Sequence, residues 1–144
     1  METISYITVK EEDIDLLDHV NNSVYITYLE IARTDWYIKM GINMKKEIIG
    51  QDLGTVLRKL EVLYIKEAKL GDQLKVITRP GHLGKTSFTF EQAIFNQRDE
   101  KVTEATAVNV MIDLSARKSI PVIDKIGRYF HDTMTIKLGK RADG

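Results

Sequence analysis

Apolar residues follow two different rhythms along this chain, and the change from one to the other comes near residue 53. Residues 23–38 (SVYITYLEIARTDWYI) repeat at helical spacing: Tyr25, Leu29, Ala32 and Trp36 form one stripe, and Val24, Tyr28 and Ile31 widen it. Ile26 and Ile38 add to it, so this predicted helix is apolar around most of its circumference and belongs inside the molecule. Asn21, Asn22 and Ser23 are candidate N-caps, and Gly41 stands where a helix stop is expected. Ahead of the helix, residues 4–9 (ISYITV) read as a strand, followed by an acidic loop from Lys10 to about Asn21. From about Leu53 the pattern is that of strands, at 54–65, 74–79, 86–96 and 101–113, rich in Val, Ile, Thr, Phe and Tyr. Turn residues separate them: Leu70-Gly71-Asp72, then Pro80-Gly81 with Gly84, then Asn96 to Glu100. Phe88, Phe90 and Ile94 share one face of the third, and Val102, Thr106, Val108, Val110 and Ile112 one face of the fourth. Met44 to Ile49 and residues 123–131 read as short additional helices, and the tail to Gly144 as loosely ordered.

Strand, long buried helix, then four consecutive strands is an α+β order. Consecutive strands joined by short turns are expected to pair antiparallel, and the sheet must bury the helix. A curved antiparallel sheet of about five strands wrapped around one long helix, the hotdog fold, does so economically; a generic α+β sandwich fits the same pattern.

The chain has 144 residues, the size of one domain spanning 1–144. Lys+Arg and Asp+Glu number 21 each, which argues against a polyanion-binding surface and so against a nucleic-acid partner. There is no cysteine, which excludes disulfides, thiolate metal sites and a cysteine nucleophile. No apolar run reaches membrane-spanning length, and no leader-like segment opens the sequence, so membrane insertion is not expected and a cytoplasmic location is.

The segment that carries chemistry runs from Glu12 to Trp36, E-D-I-D-L-L-D-H-V-N-N-S-V-Y-I-T-Y-L-E-I-A-R-T-D-W. An acidic pair, H-V-N-N, Tyr-x-x-Tyr and Glu-x-Ala-Arg in that order resemble the 4-hydroxybenzoyl-CoA thioesterase-type branch of the hotdog superfamily. V-L-R-K-L-E-V-L-Y at 56–64, A-K-L-G-D at 68–72 and G-K-T-S-F at 84–88 resemble its later strand and turn signatures. The resemblance implies an acyl-CoA thioesterase whose catalytic carboxylate is Asp15, assembled as a homodimer or homotetramer with sites at subunit interfaces. It implies no cofactor and no metal.

Elementary chemistry supports the same residue. Thioester hydrolysis passes through a tetrahedral oxyanion, and a helix N-terminus supplies backbone N–H donors for it. Asn22, at the start of the buried helix, is the candidate donor through its backbone. A nearby carboxylate either attacks the carbonyl or deprotonates water. An ordinary loop or capping carboxylate is the bland reading of Asp15.

His19 either orients Asp15, contacts substrate, or packs at the helix entrance. Related acyl-carrier-protein thioesterases carry an Asp, an Asn and a His in this stretch; Leu17 stands where the Asn would be. Asp18 occupies a position where this branch commonly has Gly, and is expected to point to solvent. Asp13 is expected to tie down the loop, and Glu30 to pair with Arg33. Tyr25 is a candidate for the acyl pocket. Lys85, with Arg58, Arg79, Arg117 or Lys118, is a candidate for coenzyme A phosphates, and Ser87 a candidate substrate contact.

No G-x-S-x-G elbow, P-loop or dinucleotide fingerprint is present. The three histidines, at 19, 82 and 131, lack ligand spacing. The competing functions are an acyl-acyl-carrier-protein thioesterase and a non-catalytic acyl-CoA-binding module on the same fold.

Overall fold

A computed structural model describes residues 1–43 and 52–132. It has β1 (Thr3–Thr8), a single 3-10 turn (Glu11–Asp13), α1 (Asn22–Lys39), β2 (Leu53–Tyr64), β3 (Gln73–Leu83), β4 (Ser87–Phe95), β5 (Lys101–Asp113), β6 (Lys118–Ser119), α2 (Asp124–Gly127) and β7 (His131–Asp132). The five principal strands lie in the order β1-β3-β4-β5-β2, all antiparallel; β6 adds to β5, and β7 runs parallel to β3. With α1 buried against the inner face, this is the hotdog architecture.

The buried stripe of α1 is the expected one, with Tyr25, Tyr28, Leu29, Ala32 and Trp36 all inside. Asn21 is the N-cap: its side chain accepts from the Ser23 N–H, and its φ of −60° and ψ of 138° keep it out of the helix. Gly41 follows the helix with φ +74°, the left-handed stop a glycine allows.

Three expectations about strand pairing and element bounds need correction. Consecutive strands pair from β3 to β5, but β2 does not pair with β3; it lies at the far edge, against β5. The reason is that α1 carries the chain from the β1 edge across the inner face to the opposite edge. Residues 65–72 must then return across the end of the sheet. The break expected at Pro80-Gly81 is a bulge inside β3, where the register with β4 shifts between Pro80 and Leu83. Pairing with β1 ends at Thr78, so one side of β3 is open there and tolerates proline. A Cβ on Gly81 would stand 3.0 Å from the Thr89 carbonyl, so a larger residue fits the bulge only if that backbone gives by a few tenths of an ångström. The helix expected over 123–131 is only Asp124–Gly127, because Phe130 turns into the core and His131–Asp132 joins the sheet beside His82 and Leu83. The helix expected at Met44 to Ile49 and the tail beyond 132 lie outside the described residues.

The core has two halves. One, under the N-terminal part of α1, contains Tyr25, Tyr28, Leu29, Val76, Ile94 and Val102. The other, under its C-terminal part, contains Trp36, Phe88, Phe90, Met111, Ile126 and Phe130. A polar seam lies between them: Gln92 donates to the Leu29 carbonyl and to Thr78 Oγ1, and accepts from Arg33 Nη1, each at 3.0 Å. Arg33 therefore does not pair with exposed Glu30 as expected. Burial pushes its guanidinium below its ordinary pKa, and the amide oxygen of Gln92 accepts a hydrogen bond from it.

Candidate active site

The acidic loop is folded by its own carboxylates. Asp13 Oδ2 accepts from the Lys10 N–H at 3.1 Å and from the buried Tyr28 hydroxyl at 2.8 Å, which fastens the loop to α1. Burial, reinforced by that carboxylate, pushes the Tyr28 phenol well up. The loop then closes on itself: Ile14 bridges Val20, the Asp15 N–H donates to the His19 carbonyl at 2.8 Å, and the Asp18 N–H donates to the Asp15 carbonyl at 3.2 Å.

Asp18 closes this turn with φ +62°. That explains a glycine preference at this position, and aspartate is among the few other residues that tolerate the left-handed region. Its side chain is exposed and lies outside the cleft.

The same turn fixes Asp15. Its Oδ1 accepts from the Leu17 N–H at 2.9 Å and from the His19 N–H at 3.3 Å. No donor among the described residues reaches Oδ2, so one oxygen orients the carboxylate and the other remains for chemistry. The side chain faces a cleft of about 460 Å³, lined also by Leu17, His19, Asn22, Tyr25, Tyr64, Ile65 and Glu67.

Asn22 is the first residue of α1. Of the neighbouring N–H groups, Ser23 donates to the Asn21 side chain and Val24 to the Asn21 carbonyl. The Asn22 N–H has no helical acceptor, and Asn22 is one of the residues that line the cleft. Its carbonyl accepts from the Tyr64 hydroxyl at 3.1 Å. Asp15, with one oxygen unengaged among the described residues, and the first residue of α1 thus line one cavity.

The return segment 65–72 forms the other wall. His19 bridges Lys69, the Val20 N–H donates to the Ala68 carbonyl at 3.0 Å, and the Ala68 N–H donates to the Tyr25 hydroxyl at 2.9 Å. Nε2 of His19 lies 3.0 Å from Oε2 of Glu67. Lys66 pairs with Glu100, whose carboxyl Lys66, Asn96 and Arg98 together hold at about 2. Tyr25 is buried and packs edge-to-face on Tyr64 with ring centroids 5.4 Å apart. Burial pushes its phenol up, and its oxygen is engaged by Ala68.

Asp15, His19, Asn22 and Tyr25 therefore meet in one cleft. Arg58, Lys85 and Ser87 do not reach it within one chain. Tyr64 pairs with Thr103 and Ser87 with Val110, seven steps along β5, or about 23 Å. Arg58 sits exposed at the bulge of β2, and Lys85 is exposed in the turn before β4. Tyr64 and Glu67 were missed from sequence. Both stand beside A-K-L-G-D, but nothing local says that this turn folds back onto the H-V-N-N segment. Among the described residues no group of His, Asp or Glu could hold a metal ion, and no helix is long and apolar enough to cross a membrane.

Known proteins match this chain over most of its length. The sequence pattern of the thioesterase-like superfamily matches residues 9–130. The acyl-CoA thioester hydrolase YbgC of Escherichia coli O6:H1 is 28% identical over 107 residues, covering 74% of this chain and 79% of its own. The acyl-CoA thioesterase YbgC of Haemophilus influenzae is 26% identical over 125 residues, covering 87% and 91%. Among solved structures, the 1,4-dihydroxy-2-naphthoyl-CoA thioesterase Slr0204 of Synechocystis superposes with a TM-score of 0.81 at 18% identity, covering 87% of this chain and 92% of that one.

Proposed function

Because this chain belongs to the thioesterase-like superfamily, we propose that it hydrolyses acyl-CoA thioesters to a free acid and coenzyme A through the carboxylate of Asp15. The observation that carries this reading is the half-engaged carboxylate: Oδ1 held by two backbone N–H groups and Oδ2 without a donor among the described residues, on a residue that lines one cleft with Asn22. Oδ2 takes a proton from water as the water oxygen adds to the thioester carbon, or adds to that carbon itself and leaves the resulting anhydride to water. In both routes the carbonyl oxygen becomes an oxyanion, which the Asn22 N–H and the helix terminus stabilise. The C–S bond then breaks and its electron pair leaves on sulfur. The backbone of His19 orients Asp15, which leaves its imidazole for the substrate side.

The site is completed by a second copy. β2 is a long edge strand of 12 residues, with one register shift between Leu57 and Lys59. It exposes Val56, Leu57, Leu63 and Tyr64, and Leu17 and Ile65 beside it are exposed as well. A strand edge of this kind recruits another strand. Antiparallel pairing of two β2 strands sets the Leu53 end of one chain beside the Tyr64 end of the other. That arrangement carries Lys85 and Ser87 of the partner subunit toward Asp15, where a cation meets coenzyme A phosphates. An acyl-CoA substrate, an intracellular metabolite, supports a cytoplasmic location.

The test is a panel of short, long and aromatic acyl-CoAs with free thiol as readout, run on wild type and Asp15→Asn. The expected result is turnover that Asp15→Asn lowers by about 10²-fold or more while the circular dichroism spectrum is kept. Near-wild-type turnover in a folded variant removes Asp15 from its role. Light scattering should give a dimer or larger; a stable, active monomer contradicts the shared site.

A further inference from the structure

The contact between His19 and Glu67 sits inside the cleft but has no part in holding Asp15. Isolated surface ion pairs contribute little to stability, and with both partners part-exposed this one has little to offer the fold. Its surroundings are nevertheless built to keep it. The His19–Lys69 bridge and the bond from the Val20 N–H to the Ala68 carbonyl clamp the two segments together immediately after Glu67, and the buried Tyr25 hydroxyl accepts from the Ala68 N–H. Glu67 thus faces His19 because the backbone places it there.

A carboxylate only accepts hydrogen bonds. The imidazole nitrogen 3.0 Å from Glu67, Nε2, therefore carries a proton, and in the neutral ring Nδ1 is the nitrogen with a free lone pair. The other charged residues of the two segments that meet here are Asp15 and Asp18 on the loop, and Lys66 and Lys69 on the return segment. Lys66 is held by Glu100, and Asp15 Oδ1 is held by backbone. Glu67 is the one carboxylate among the described residues that contacts the imidazole.

We infer that Glu67 is a positioning residue for the hydrolysis: it fixes His19 in the tautomer with the proton on Nε2 and so leaves Nδ1 as the nitrogen offered to the substrate. The inference rests on the reading of the Asp15 cleft as the hydrolytic site. It goes beyond that reading by giving the return segment a part in the chemistry.

Two measurements test it. In ¹⁵N-labelled protein, long-range proton–nitrogen spectra report which ring nitrogen is protonated, and with only three histidines His19 is assigned by its own substitution. The neutral ring is expected as the Nε2–H form in wild type and in Glu67→Gln, whose amide oxygen still accepts, and as a mixture in Glu67→Ala. In steady-state kinetics, Glu67→Ala is expected to lower kcat about tenfold with KM changed less than about twofold, the scale on which an imidazole suffers when its orienting carboxylate is lost. Glu67→Gln should restore most of that loss. In a His19→Ala background, Glu67→Ala should cost nothing more, since both act through one ring. An unchanged tautomer in Glu67→Ala, or an equal loss with and without His19, overturns the assignment. Should wild type hydrolyse no acyl-CoA at all, the hydrolase reading fails by itself, and the nitrogen spectra still decide for or against Glu67.

Discussion

The two halves of the core are built from the same helix and sheet but differ in what their aromatic residues do. Under the C-terminal half of α1, Trp36, Phe88, Phe90 and Phe130 stack edge-to-face, with ring centroids 5.0 to 5.9 Å apart. The Trp36 indole donates its single N–H to the Met1 carbonyl, and the tyrosines of this half, Tyr37 and Tyr129, border the ring cluster, 5.4 and 5.5 Å from the Trp36 ring, and hold no part of the cleft. Under the N-terminal half the aromatic residues are tyrosines, and each hydroxyl fastens a piece of the cleft: Tyr28 holds Asp13, Tyr25 holds Ala68, and Tyr64 at the rim holds the Asn22 carbonyl. A tyrosine buries a large ring and keeps a polar tip, so the same packing that makes the core also sets the loops of the site. One half is an anchor and the other a mount. The seam of Arg33, Gln92 and Thr78 marks where one gives way to the other.

That contrast can be broken from either side. The largest expected effect is on the anchor. Phe90→Ala, at a fully buried position, should destabilise by about 3–5 kcal/mol, seen as a lower denaturation midpoint, with kcat of the remaining folded enzyme near wild type. A selective loss of kcat would show that the two halves are not separable. Next comes the mount itself. Asn22→Pro deletes the N–H and should cost about 10²–10³ in kcat. Asn21 precedes it with φ −60° and ψ 138°, a conformation proline accepts in its predecessor, so the fold should survive. Asn22→Ala should keep most activity and stability, since the cap is Asn21; equal inactivity of the two variants would assign the role to the side chain. The smallest effect is expected for Tyr28→Phe, which keeps the ring and deletes the hydroxyl bonded to Asp13. A loss of about 1 kcal/mol in stability should come with a measurable fall in kcat, because the freed loop is the one that carries Asp15. A variant as active as wild type would reduce Tyr28 to packing alone.

The sequence made some of this legible and hid the rest, and the division follows distance along the chain. The helix was readable because its stripe, cap and stop are local signals, and the loop of Asp15 and His19 because its residues form one short run. The edge position of β2 was not readable, since the pattern of a strand says nothing of which neighbour it takes. Glu67 stayed hidden for the same reason, as its meaning depends on a return segment reaching His19. Arg33 misled because a helical spacing from Glu30 is a local cue, while its actual partner, Gln92, lies on β4. The bulge at Pro80-Gly81 was mistaken for a turn because proline and glycine signal both.

The crossing of the chain from one sheet edge to the other also orders events in time. Thr3 is paired with Thr78, and Tyr64 with Thr103, so neither edge closes until distant parts of the chain have met. Contacts of such long range form slowly, because the loop entropy must be overcome before any bond repays it. The clamp between His19 and Lys69 depends on both closures, since its two strands leave from opposite edges. A nascent or partly folded chain can therefore hold Asp15 in its local turn without the wall that completes the cleft, and under the proposed function such a chain is expected to be inactive until the sheet is whole. Recovery of activity during refolding should accordingly trail the recovery of helical signal.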